Sequence, residues 1–146
     1  MSKSNAAETA LLALLFNNTD FASIGDAGGL QNSATAGSFY ISLHTSDPGE
    51  AGDQTTNETA YTNYARVAVA RSGAGWTVSG NSATNAAQIT FPQCGASGAT
   101  LTHVGIGTDS SGAGVLLYSG ALNSSLAVAL NITPLFAASG LTVTED

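Results

Sequence analysis

Positive charge is almost missing from this sequence: Lys3, Arg66 and Arg71 stand against ten acids, for a net charge of −7. A phosphate backbone or an anionic membrane surface would be repelled by most of such a molecule, so neither nucleic acid nor membrane is expected as a partner. Charge of either sign is scarce, at 9% of residues against roughly 25% in ordinary soluble domains. Ser, Thr, Asn and Gly must therefore supply the polar surface. With a single Lys to guard strand edges, that surface does little to discourage contact between copies. Cys94 is the only cysteine, which excludes an intramolecular disulfide. Long apolar runs are missing too: Ala10 to Phe16 is seven residues, too short to span a bilayer. Glu8 precedes that run and no small-residue cleavage site follows it, so a product made in the cytoplasm without a secretion signal is expected.

What is present fits one β-rich domain. At 146 residues the chain is long enough for a real core and short for two domains. Ser4 or Asn5 can cap a helix, Glu8 favours its dipole, and Leu11, Leu12, Leu14, Leu15 and Phe16 make it apolar on most sides. Such a helix must bury itself against the rest of the protein or against a neighbour. Residues 24–37 have no period and read as loop. Beyond them, short strands are expected at 39–45, 64–72, 75–79, 86–92, 99–107, 114–122, 125–130 and 140–145. The pattern predicts a mainly β protein: an antiparallel β-sandwich or jelly-roll-like single domain with a short N-terminal α-helix, divided into an arm and helix at 1–20 and the sandwich at 21–146. Trp76, Val78, Ile89, Phe91, Leu101, Val104, Ile106, Leu116, Tyr118, Leu122, Val128, Leu141 and Val143 are the expected core. Gly73-Ala74-Gly75 marks a hairpin or corner, and Pro92 and Pro134 mark strand ends or edges.

The stretch 39–71 is the most informative. A strand rich in aromatic and β-branched residues breaks at Asp47-Pro48-Gly49-Glu50, where Pro presets φ and Gly accepts a positive one. About twenty polar residues follow before an alternating strand resumes, and loops that long are usually functional. His44, Asp47, Glu50 and Asp53 lie close together there, yet their spacing is not that of a calcium loop. Gly105-Ile106-Gly107 and Gly112-Ala113-Gly114 are wrongly spaced for a dinucleotide loop and lead into a strand, so they read as a hairpin. No nucleophile elbow occurs, and no carboxylate pair stands out for glycosidase chemistry. Catalytic, cofactor and metal residues are therefore not assigned, and a non-enzymatic protein is expected.

Four strings carry a resemblance over nearly the whole chain: SLHTSDPGEAGD, YTNYARVAVARSGAGW, QITFPQCGASGATLTHVGIGTDSSGAGVLLYSGAL and FAASGLTVTED. In this order they resemble a family of small tailed-bacteriophage virion proteins, described variously as tail-fibre-like or as head decoration proteins. The resemblance implies a virion location and offers no enzymatic residues to carry over. The leading expectation is a capsid decoration (cement) protein on the head exterior, with the major capsid protein as partner and itself a dimer or trimer. The alternative is a tail-associated or fibre-like protein that recognises the host surface. For interaction, Leu11, Leu14, Leu15 and Phe16 are expected to anchor to a neighbour or pack internally. The loop carrying His44, Asp47, Glu50 and Asp53 offers a contact or solvent-facing surface, and Tyr61 and Tyr64 could stack on a glycan or fold back on the sheet. Arg66 and Arg71 could pair with partner carboxylates or with local acids such as Asp47 or Glu50.

Overall fold

The computed structural model describes residues 2–146. It is mainly β with antiparallel pairing and one short N-terminal helix, as the patterning predicts. Helix α1 (Asn5–Asn17) is followed by β1 (Ser38–His44), β2 (Val67–Ala70), β3 (Trp76–Ser79), β4 (Ser82–Asn85), β5 (Ile89–Thr90), β6 (Ala99–Gly107), β7 (Leu116–Val128), β8 (Leu135–Phe136) and β9 (Thr142–Thr144). These elements form two compact units, each assembled from separated stretches of chain.

The first unit joins residues 1–38, 70–89 and 136–146. Ser4 caps α1 by accepting from the Ala7 amide at 3.3 Å, and Asn18 closes it in the left-handed conformation, φ 53°. Leu12 and Phe16 are fully buried, and the Phe16 ring meets Trp76 edge-on at 4.7 Å. The helix packs on β3 and β4, and β4 sits centrally in the sheet β3-β4-β9. That sheet brings Ala83 and Val143 into the same unit's core, and Leu141, just before β9, joins them there. Buried Asn85 holds the last segment in place: its side chain donates to the Ala137 carbonyl and accepts from the Leu141 amide.

The second unit, residues 39–69 and 90–135, is built on a sheet of order β2-β1-β6-β7. β1 runs antiparallel to β6 from Tyr40 opposite Gly107 to His44 opposite His103. β6 and β7 form a hairpin whose turn is the glycine-rich segment read as such from the sequence. Phe39, Ile41, Leu43, Leu101, Val104 and Ile106 fill the core.

Several boundaries differ from expectation. β7 is one strand of 13 residues where two were expected, because Leu122–Ser125 is absorbed as an irregularity. Two steps along β6, Leu101 to His103, face five along β7, Leu126 to Ala121. β7 is also an edge, so Leu116, Tyr118 and Leu122 are only half-buried. Val78 is half-buried as well. The strand expected at 86–92 shrinks to Ile89–Thr90, with Pro92 just beyond it. β4, Ser-Ala-Thr-Asn, escaped notice because nothing in it but Thr84 favours a strand.

Candidate functional site

The acidic segment after β1 is a folded loop fastened at several points. Asp47 accepts from the Gly49 amide at 2.9 Å, the Asx turn that its Asp-Pro-Gly sequence calls for. Gly49 has φ 70°, which a side chain would strain. The Asn57 side chain donates to the Asp47 carbonyl, and the Thr45 amide donates to the Asn57 carbonyl. Asp53 accepts from the Thr55 amide at 2.8 Å and from the Thr55 hydroxyl at 2.6 Å. The Thr55 hydroxyl bond, more than any other cause, holds the Asp53 carboxyl below its usual range. Glu50 is exposed. Asp47, Glu50 and Asp53 thus shape or decorate the loop, and among the described residues no three His, Cys, Asp or Glu groups come together as a metal site would need.

Deeper in the loop is a charged lock. Arg66 binds Glu58 through both nitrogens of its fork, Nε to Oε1 at 2.7 Å and Nη2 to Oε2 at 2.8 Å. Its remaining donors reach the Asp109 and Gly112 carbonyls, each at 2.8 Å, and so hold the β6–β7 turn. The Arg66 side chain is 3% exposed. The Glu58 hydrogen bond is the main reason the guanidinium holds its proton even more tightly than usual. Tyr64 donates its hydroxyl to Glu58 at 2.8 Å and accepts from the Leu43 amide, and burial pushes its phenol far above the ordinary range.

Tyr61 is 2% exposed, donates to the Pro92 carbonyl and meets Tyr64 edge-on at 5.3 Å. Burial raises its phenol to about 12. Tyr64 in turn stacks over Phe91. Of the two readings open for these tyrosines, stacking on a glycan or folding back on the sheet, their packing matches the second, since their apolar rings gain more from burial than from water.

His44 and Ser42 lie beneath this lock, both at 0% exposure. His44 Nδ1 lies 2.9 Å from the Thr56 carbonyl, which can only accept, so Nδ1 carries the proton. Nε2 then accepts from the Ser42 hydroxyl at 2.8 Å. A hydroxyl, an imidazole and an orienting acceptor in a row resemble an activated nucleophile. Here neither reacting atom can meet a substrate, because the pair is walled in by β6. A Cβ added at Gly105 would come within 2.6 Å of Ser42 Oγ and 2.7 Å of His44 Nε2. Burial outweighs the Thr56 bond and keeps the imidazole less basic than usual.

The remaining sequence-selected residues fall in the first unit. Phe16 is core, while Leu11, Leu14 and Leu15 are half-buried. Arg71 donates to the carbonyls of Leu14 at 2.9 Å, Leu15 at 2.6 Å and Ala36 at 3.0 Å. It thereby supplies the cation that the last turn of α1 lacks in its own sequence. Arg66 finds its partner in Glu58, not in Asp47 or Glu50.

Gln54 was not visible as important from sequence. It is fully buried, its Oε1 accepts from the Asp109 amide at 2.9 Å, and its backbone N–H donates to the Ala113 carbonyl. Gly107 and Gly114 have no room for a Cβ because Gln54 lies 2.2 and 2.3 Å from where it would sit. The paired glycines were the available signal, since a glycine in a hairpin stem marks a close neighbour.

Nearly every polar group in this region is thus spent on fastening one loop to another, the arrangement of a β-rich structural module. Residues 2–144 match a family described as podophage GP4 fiber I protein gp80, and the chain belongs to that family. It is accordingly a structural protein of a tailed-phage virion. No curated protein matches the chain.

Proposed function

We propose that this chain is a fibre-associated tail protein, a small module carried on the host-recognition apparatus of a podophage-like virion and not itself an enzyme. The observation that carries this reading is the family match, which spans all but three residues of the chain and describes a fibre protein. Its architecture supports a module more than a shaft: two compact units without a fibrous repeat, held by a caged salt bridge and a capped helix. Of the two roles open to the helix, anchoring to a neighbour or packing internally, the internal one is taken by Leu12 and Phe16, which lie in the first unit's own core.

Copy number separates the two readings. Quantitative mass spectrometry of purified virions, scaled to the major capsid protein, should give a few to a few tens of copies, and antibody-gold labelling should mark the tail. Hundreds of copies with label over the head would overturn the fibre reading in favour of decoration.

A further inference from the structure

The two faces of the β1–β6 ladder are made of different chemistry. On one, Ile41 and Leu43 lie opposite Ile106 and Val104, and all four are buried. On the other, alternation places Ser42 opposite Gly105 and His44 opposite His103, with Gly107 next along β6. The segment 45–57 lies over this second face as a strap. Gln54 fills the space that a side chain at Gly107 would need, and the Thr56 carbonyl accepts from His44 Nδ1 at 2.9 Å. Main-chain bonds complete the fastening, from the Thr45 amide to Asn57 and from the Gln54 amide to Ala113, each at 2.9 Å. A cover held by hydrogen bonds depends on protonation, because each bond needs one donor and one acceptor, whereas an apolar cover is indifferent to pH.

His44 is the group that can change. Its Nδ1 donates to Thr56 and its Nε2 accepts from the Ser42 hydroxyl at 2.8 Å, so this chain of bonds fits only the neutral ring. A second proton, on Nε2, would set donor against donor. The Ser42 hydroxyl would then have to reverse and find a new acceptor, in a place closed by Gly105 and the Leu116 side chain. Neighbouring charges do not rescue the cation. His103 faces it across the ladder from β6, and Arg66 adds a fixed positive charge from the chain leading into β2. Glu58, the acid beside it, is already bound by Arg66 and Tyr64. β7 contributes no charged residue. On the strap itself, Asp47 and Asp53 accept from amides of their own turns and Glu50 is exposed. Burial already makes the imidazole less basic than usual, as this enclosure requires.

We propose that residues 45–57 form an acid-released strap: charging His44 breaks the Ser42–His44–Thr56 chain, frees the segment from the sheet and uncovers the face floored by Gly105 and Gly107. The Glu58–Arg66 pair stays closed as the hinge, and the apolar face keeps the sheet intact. This inference stands apart from the fibre reading and holds wherever in the virion the protein sits.

Hydrogen exchange of the full chain, followed by NMR at single amides and corrected for the intrinsic rate at each pH, tests the release. Going from about pH 7.5 to about pH 5.5 charges imidazoles and leaves ordinary carboxylates ionised. Over that range the protection of the Gln54 and Thr45 amides should fall about threefold or more, with about tenfold as the ceiling for an open-state imidazole of pKa about 6.5. The Asn85 and Ser139 amides, bonded within the first unit, should keep their protection. His44→Gln should abolish the pH dependence, and His103→Gln, which leaves the Ser42–His44–Thr56 chain in place, should retain it. If His44→Gln does not fold, the wild type and His103→Gln decide. Unchanged protection at Gln54 and Thr45 overturns the proposal, and so does an equal loss in the first unit. A dependence that persists in His44→Gln or vanishes in His103→Gln overturns it as well.

Discussion

β1 and β7 lie two places apart in the same sheet and live under opposite rules. β1 is laddered on both sides, and five of its seven residues are buried, Ser42 and His44 among them. β7 is laddered on one side, and one of its 13 residues is buried. The central strand must therefore settle every polar group internally, which is why Ser42, His44 and the Thr56 carbonyl form a closed chain. Water settles those needs for the edge, leaving its side chains free to be selected for something else. Rigidity at β1 and availability at β7 follow from position in the sheet, with similar residue types in both.

The sharpest way to break this contrast is to make the same kind of truncation in both strands. Ile41→Ala should cost about 2–5 kcal/mol, the range for a large aliphatic removed from a packed core. Leu117→Ala should change stability by less than about 0.5 kcal/mol, as for ordinary surface changes. Chemical denaturation of both variants checks this, and comparable losses would mean that β7 is not the free edge its exposure indicates.

Next in size is the lock that closes over the end of β1. Arg66→Met keeps the bulk of the side chain but strands Glu58 and releases the Asp109 and Gly112 carbonyls. Removing one partner of a buried, bidentate pair costs about 3 kcal/mol. Glu58 is partly exposed, at 16%, so water will offset some of this. Urea denaturation of wild type and variant measures the loss, and an unchanged midpoint would mean that the pair does not hold the loop.

A smaller effect is expected from acid. The folded protein holds His44 below its ordinary pKa, chiefly through burial, so the unfolded chain binds the extra proton first. Stability from this group is therefore complete above about pH 6.5, the unfolded value, and declines as the pH falls through it towards the lower folded pKa. Denaturation midpoints between neutral pH and the onset of carboxylate titration should fall for the wild type. In His44→Gln, which cannot titrate, the midpoints should be flatter from a lower starting stability. Equal slopes would remove His44 as the cause.

The contrast between strands also explains what was legible in the sequence. β1 and β6 were readable to within a residue or so because their aromatic and β-branched runs serve burial directly. β7 was readable as strand but not as edge. Leu116, Tyr118 and Leu122 alternate like core residues, and a side-chain period reports a pleat without saying whether another layer covers it. The helix gave its cap and its apolar character, but its C-terminal cation comes from Arg71, 54 positions beyond Asn17. The acidic loop was legible as a unit, whereas its lock was not. Glu58, Gln54 and Asp109 act through pairings across 8 to 55 positions that no local spacing encodes.

The smallest expected effect tests whether polar groups beside β1 really must be settled. Thr59 donates its amide to the Leu43 carbonyl and so extends β1's hydrogen bonding, yet its hydroxyl is buried without a partner among the described residues. Thr59→Val keeps the shape and the amide bond while deleting only that hydroxyl. An unsatisfied buried polar group carries a desolvation cost of about 1–3 kcal/mol, so its removal should leave stability unchanged or raise it by up to about 1 kcal/mol. Urea denaturation of wild type and variant reads the difference directly. A loss of more than about 1 kcal/mol would mean that the hydroxyl is engaged after all, since a typical hydrogen bond contributes that much. The demand for internal satisfaction along β1 would then extend to every polar atom beside it.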